Sequence, residues 1–121
     1  MSGRRKAWRF GLAAEGIAAW FLRLKGYAIL ARRFKSPVGE IDIVAKRGTV
    51  LAFVEVKARA HGGAEITAHQ RRRIERASLV FIQRRSDFAL CDRRFDAVFV
   101  APWRIPDHIV GAWRPDGRRY Q

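Results

Sequence analysis

Between Gly26 and Arg59 three segments of strand character follow one another, residues 27–34, 40–45 and 49–59. Only Ser36-Pro37-Val38-Gly39 and Lys46-Arg47-Gly48 separate them. Proline and glycine punctuate turns because one presets φ and the other tolerates positive φ. Connections this short cannot carry a crossover, so the strands must run as antiparallel neighbours in a meander. The third segment has two faces. Val50, Ala52, Val54 and Val56 lie on one, while Leu51, Phe53, Glu55, Lys57 and Arg59 lie on the other, apolar early and charged late. Any chemistry belongs at that charged end.

The flanks complete an α/β chain. Phe10, Ala14, Ile17, Ala18, Phe21 and Leu22 recur at helical spacing and predict an amphipathic helix over residues 6–25, with Gly26 as its stop. After a glycine-containing loop, residues 67–84 read as a second helix with Ile74, Ala77 and Phe81 as its apolar row. Thr67 and Gln70 have the spacing of a capping box. Residues 95–101 read as a buried strand reached through that helical crossover, hence a parallel neighbour. Residues 108–113 read as an edge strand within a looser basic C-terminal segment, 102–121, that contains Pro102, Pro106 and Pro115. With 121 residues and no internal repeat or linker, the expectation is one domain.

Charge narrows the partners. Lysine and arginine number 25 against 11 acids, a formal charge of +14, and 20 of the basic residues are arginine. Such a surface concentrates polyanions, so nucleic acid leads; an arginine-rich coding bias is the bland alternative. Cys91 is alone, and with His61, His69 and His108 it makes no zinc-type pattern, which excludes a disulfide scaffold and a structural zinc site. No uncharged stretch exceeds seven residues, against the ~20 that a spanning helix needs, so no membrane is expected. The basic start, residues 1–9, has the composition of a targeting sequence but runs into apparent core, and a reducing cytoplasm is the expected location.

Against that charge the acids are few. The first 60 residues hold 13 basic side chains and four acids: Glu15, Glu40, Asp42 and Glu55. Asp42 lies between Ile41 and Ile43, and Glu55 between Val54 and Val56, on hairpin neighbours, so the two carboxylates can face one side a strand spacing apart. Paired carboxylates among apolar residues repel and resist desolvation unless a cation or proton intervenes. Oxygen ligands suit magnesium or manganese. Lys57, on the face of Glu55, can hold or deprotonate a water or neutralise charge on a phosphoryl oxygen. Glu15 borders the helical stripe in a row with Gly11, Ala18 and Leu22.

Each of these residues has a bland reading beside the chemical one. Asp42 and Glu55 can be solvated strand residues, Lys57 their salt-bridge partner, Glu15 the partner of an arginine, and Glu40 a surface residue instead of an outer ligand. Arg59, Arg71, Arg72, Arg73 and Arg76 are either a solvated face or phosphate contacts. Trp8, Trp103 and Trp113 each adjoin an arginine, which suits stacking on unpaired bases as well as a place in the core. His69 receives no role.

Gly39-Glu40-Ile41-Asp42 and Phe53-Val54-Glu55-Val56-Lys57, preceded by Glu15 in a helix and by Gly26-Tyr27-Ala28-Ile29-Leu30-Ala31-Arg32, resemble the YraN family of bacterial proteins. That family is similar in turn to archaeal Holliday junction resolvases and the PD-(D/E)XK nuclease superfamily. The resemblance covers about residues 8–82. It implies a restriction-endonuclease-like mixed β-sheet flanked by helices and a nuclease acting on DNA with Mg2+ or Mn2+. It further implies that Asp42, Glu55 and the Val56 carbonyl bind the metal, that Lys57 stands by the attacking water, and that Glu15 joins directly or through water. Gln70 stands where many relatives carry lysine, as an auxiliary residue. Arg33 stands where the family usually shows asparagine, a departure that puts no proposed catalytic residue at risk. The superfamily's proline-aspartate pair is not contiguous, because Ile41 precedes Asp42 and Pro37 lies five residues earlier. Through the resolvase likeness the substrate is branched or structured DNA, and a homodimer, supported by apolar surface near Trp113, would suit a symmetric junction. The alternatives are a non-catalytic nucleic-acid-binding module of the same fold and a basic protein that docks on an acidic one.

Overall fold

The computed structural model describes residues 2–61 and 66–115, with side chains from Gly11 onward. Helix α1 (Ser2–Leu24) is followed by β1 (Ala28–Ser36), β2 (Gly39–Arg47) and β3 (Val50–Lys57), then α2 (Ala68–Arg84), β4 (Asp92–Phe99) and β5 (Asp107–Trp113). All the predicted elements are present; a short 3-10 turn, Ser86–Phe88, was not anticipated. The meander is antiparallel, β4 joins β3 in parallel after the α2 crossover, and β5 closes the far edge in the order β1-β2-β3-β4-β5.

This is a mixed α/β fold of the restriction-endonuclease-like kind, a five-stranded sheet between two helices. The small residues Ala14, Ala18 and Ala19, with Leu22, let α1 approach Ile43, Ala45, Ala52, Val54 and Val98 on one face. On the other face Ile74, Ala77 and Phe81 of α2 pack against Ile41, Leu51, Phe53, Phe95 and Phe99. The two faces of β3 divide as the sequence predicted. Gly26 ends α1 at φ +90, a left-handed position suited to glycine. Thr67 caps α2 through the anticipated reciprocal box, its hydroxyl accepting from the Gln70 amide and the Gln70 side chain accepting from the Thr67 amide, both at 3.1 Å.

Asp96, wholly buried on β4, ties this fold together on the α1 side. Arg94 donates to it twice, at 2.9 and 2.8 Å, and the Gly111 amide donates at 3.0 Å. His108 Nε2 lies 2.8 Å from Asp96, and Lys25 Nζ lies 2.6 Å from His108 Nδ1. The ammonium can only donate, so these partners assign the Nε2–H tautomer. Burial alone would raise the Asp96 carboxyl; the bonds from His108, Arg94 and Gly111 hold it below the usual carboxylate range.

The C-terminal segment contributes the expected edge strand, β5. Of the two readings of Trp113 the core one holds: it is 4% exposed, stacks on Phe95 at 5.4 Å and donates from Nε1 to Glu75 at 3.0 Å, so the indole itself is not part of an apolar surface. Residues 116–121 and the side chain of Trp8 lie outside what is described.

Candidate active site

The β2–β3 ladder runs from the pair Arg47↔Val50 to Ile43↔Val54 and stops there, although both strands continue. At that point the Asp42 side chain takes over, accepting the Val56 amide on Oδ2 at 2.8 Å. Strand alternation also breaks. Ile41 packs on the α2 side and Ile43 on the α1 side, where a regular strand would place both on one face. Next to this break on β1, Arg33 holds a left-handed φ of +53. The other edge of β3 stays paired with β4 through Lys57, whose carbonyl accepts from Val100 at 2.8 Å. The carboxylate end of β3 is thus pinned on one edge and open on the other.

Asp42 consequently borders hollows on both sheet faces. On the α2 side it shares one of about 260 Å3 with Glu40, Glu55, His69, Gln70 and Arg73. On the α1 side it shares one of about 320 Å3 with Glu15, Arg33 and Val56. The predicted residues therefore gather, but unequally. Glu55 and Lys57 lie side by side, Oε2 to Nζ at 3.9 Å, with side chains 17% and 15% exposed. Gln70 holds its cap, as one of its two readings had it, and also lines the hollow. Glu15 is turned toward Arg33, whose Nε donates to both carboxylate oxygens at 3.0 and 3.3 Å. Of the two readings of Glu15, the structure shows the arginine pair, and the partner is Arg33, the residue that departs from the family's usual asparagine.

Burial, and then the hydrogen bond and charge of Asp42, push the Glu55 carboxyl up to about 9, with Lys57 opposing. A carboxyl so raised keeps its proton at neutral pH unless a cation replaces it. Among the described residues no three acidic, histidine or cysteine side chains form a metal cage. The donors to hand are two carboxylates and the Val56 carbonyl, all oxygen. That set fits magnesium or manganese, which are held by one or two carboxylates and complete their shells with water and phosphate oxygens.

The arginines divide. Arg73 lines the α2-side hollow, and Arg72 and Arg76 are exposed on α2. Arg71 instead bonds the Ile66 carbonyl at 3.0 Å and holds the entry loop. Arg59 is half-buried just beyond β3. His69 and Glu40, left without a firm role by the sequence, both line the hollow. Their signal was proximity to Gln70 and Asp42 in the chain. None of the helices among the described residues is long and apolar enough to cross a membrane.

A family model, "Uncharacterised protein family UPF0102", matches residues 14–100. The chain is 54% identical over 117 residues to "UPF0102 protein amb4503" of Paramagnetospirillum magneticum, covering 91% of each chain. It is 52% identical over 112 residues to a UPF0102 protein of Parvibaculum lavamentivorans, covering 90% of this chain and 84% of that one. To "UPF0102 protein Atu0303" of Agrobacterium fabrum it is 46% identical over 113 residues, covering 91% and 93%.

Proposed function

The chain belongs to the uncharacterised protein family UPF0102, the YraN family, and from that premise we propose that it is a metal-dependent endonuclease hydrolysing DNA phosphodiester bonds. The observation that carries this reading is the opening of the sheet at Asp42, where two carboxylates and Lys57 meet at a strand end in a chain of charge +14. Asp42, Glu55 and the Val56 carbonyl would hold Mg2+ or Mn2+. When bound, such a cation polarises water for attack on phosphorus and stabilises the leaving oxygen.

The remaining work falls to the chain's own side chains. Lys57, held beside Glu55, orients the attacking water or neutralises charge on a phosphoryl oxygen. The Val56 amide fixes Asp42 through one oxygen, and a hydrogen bond with Glu55 holds the two carboxyl groups together at the hollow. Arg73 meets the phosphate from α2, with Arg72 and Arg76 extending the basic face. Structured or branched DNA is the favoured substrate.

A second reading, a non-catalytic binding module of the same fold, draws on the Arg33–Glu15 pair, which withholds the third acid. The test is incubation with labelled linear, single-stranded, flap and four-way-junction DNA in magnesium, manganese or chelator, beside Asp42→Ala and Glu55→Ala. The nuclease reading expects metal-dependent cleavage that falls at least 100-fold in either variant. Binding without cleavage on any substrate favours the module.

A further inference from the structure

The turn between β4 and β5 carries two exposed apolar side chains, Trp103 at 103% and Ile105 at 82% relative exposure. Trp103 also holds φ +64, a left-handed conformation in which a bulky side chain is strained. Burial would relieve the first penalty and glycine the second, yet neither has happened. A residue kept both exposed and strained calls for a functional account.

Its position supplies one. Phe99 and Lys57 are register partners on parallel strands, so their side chains share a sheet face about 4.8 Å apart. The Val100 amide bonds the Lys57 carbonyl, and Trp103 follows three residues later, within about 10 Å of chain. A hollow of about 280 Å3 lies under the turn, lined by His61, Phe99, Arg104, Ile105 and Asp107 among others. The His61 ring lies on Phe99 with centroids 4.7 Å apart, and its Nδ1 is 3.3 Å from Asp107, whose carboxylate is thereby turned toward the imidazole. An exposed indole followed in the chain by Arg104, in the turn that ends the strand paired with that of Lys57, matches what a nucleotide presents: a flat apolar base and a phosphate.

We propose that this turn is a stacking platform for an unpaired base of a DNA strand, set beside the carboxylate site; the proposal rests on the nuclease reading and narrows its substrate class. Trp103 stacks on the base, Arg104 meets the phosphate of that nucleotide, and the exposed His61 ring, backed by Phe99, lines the flanking position. Bases within a duplex are already stacked on both faces, so the platform selects single strands, flaps and frayed ends over continuous duplex.

Fluorescence anisotropy in chelator separates this binding from cleavage, using a labelled single-stranded oligonucleotide and its blunt duplex. Trp103→Ala is expected to weaken single-strand binding at least about fivefold, the lower end of what one base on an aromatic side chain contributes, and to leave duplex binding unchanged. Trp103→Phe should retain most of the affinity, and thermal melting should show all variants folded. If Trp103→Ala binds the single strand like wild type, or loses single strand and duplex equally, the platform is overturned while the nuclease reading stands. If the single-strand effect appears but no substrate is cut in magnesium or manganese, the platform holds and the nuclease reading fails. If the wild-type protein binds neither DNA at low salt, both fall.

Discussion

At Glu55 a carboxyl group sits between the apolar face of β3 and a second acid, and its folded value of about 9 lies far above its ordinary 4.5. The folded chain therefore keeps a proton that the unfolded chain releases. This contribution to stability is complete below about pH 4.5 and is lost as pH rises through about 9. Glu55→Gln mimics the protonated form at every pH. In melts without metal it is expected to raise Tm by about 5 °C at pH 8 and to change it little near pH 4. Added Mn2+ should reverse the order at pH 8, raising Tm for wild type alone, because only the carboxylate can bind it. The residues on which this rests were legible as a pattern, two acids among valines and isoleucines. That Arg33 would capture Glu15 was not legible, since it depends on a left-handed φ in β1.

At the scale of elements, α2 reaches the site by lying directly on the β1–β2 turn. A Cβ at Gly39 would come within 2.7 Å of the Arg73 carbonyl oxygen, and no flexible side-chain end is available there to yield. Gly39→Ala must push the helix away from β2, and overpacking of this kind costs about 1–3 kcal/mol, readable as a lower urea midpoint. Any accompanying loss of cleavage should exceed what the unfolded fraction explains, because Gln70 and Arg73 move with the helix. Element boundaries came within three residues of the predicted ones except at the N-terminal end of α1. Turn chemistry, a capping box and periodicity are local signals. The interruption of pairing at Asp42 is not local, because whether a side chain or a backbone carbonyl receives the Val56 amide depends on how far β2 and β3 diverge.

For the whole molecule, the proposed binding of DNA by a 121-residue chain with 25 basic residues would be dominated by release of counterions. Affinity for a fixed oligonucleotide should fall on the order of 100-fold between 50 and 200 mM salt, linearly on logarithmic axes. Glu55→Ala should leave that slope unaltered, since it removes no phosphate contact, whereas Arg73→Ala should make it shallower by about one unit. A flat salt response would remove nucleic acid as the partner.

The sequence by itself determined the antiparallel meander, the parallel return through α2, the two-faced third strand and the set of acids and bases at its charged end. Short connections, alternation and caps act over a few residues, and they leave little choice. Tertiary structure alone decided which of those acids meet, that Trp113 is core while Trp103 is fully exposed, and that His108 links the buried Asp96 to Lys25. Those outcomes depend on strand divergence, left-handed backbone positions and contacts between residues as much as 83 apart in the chain. Composition and spacing do not encode them separately, because each follows from where the whole chain closes on itself.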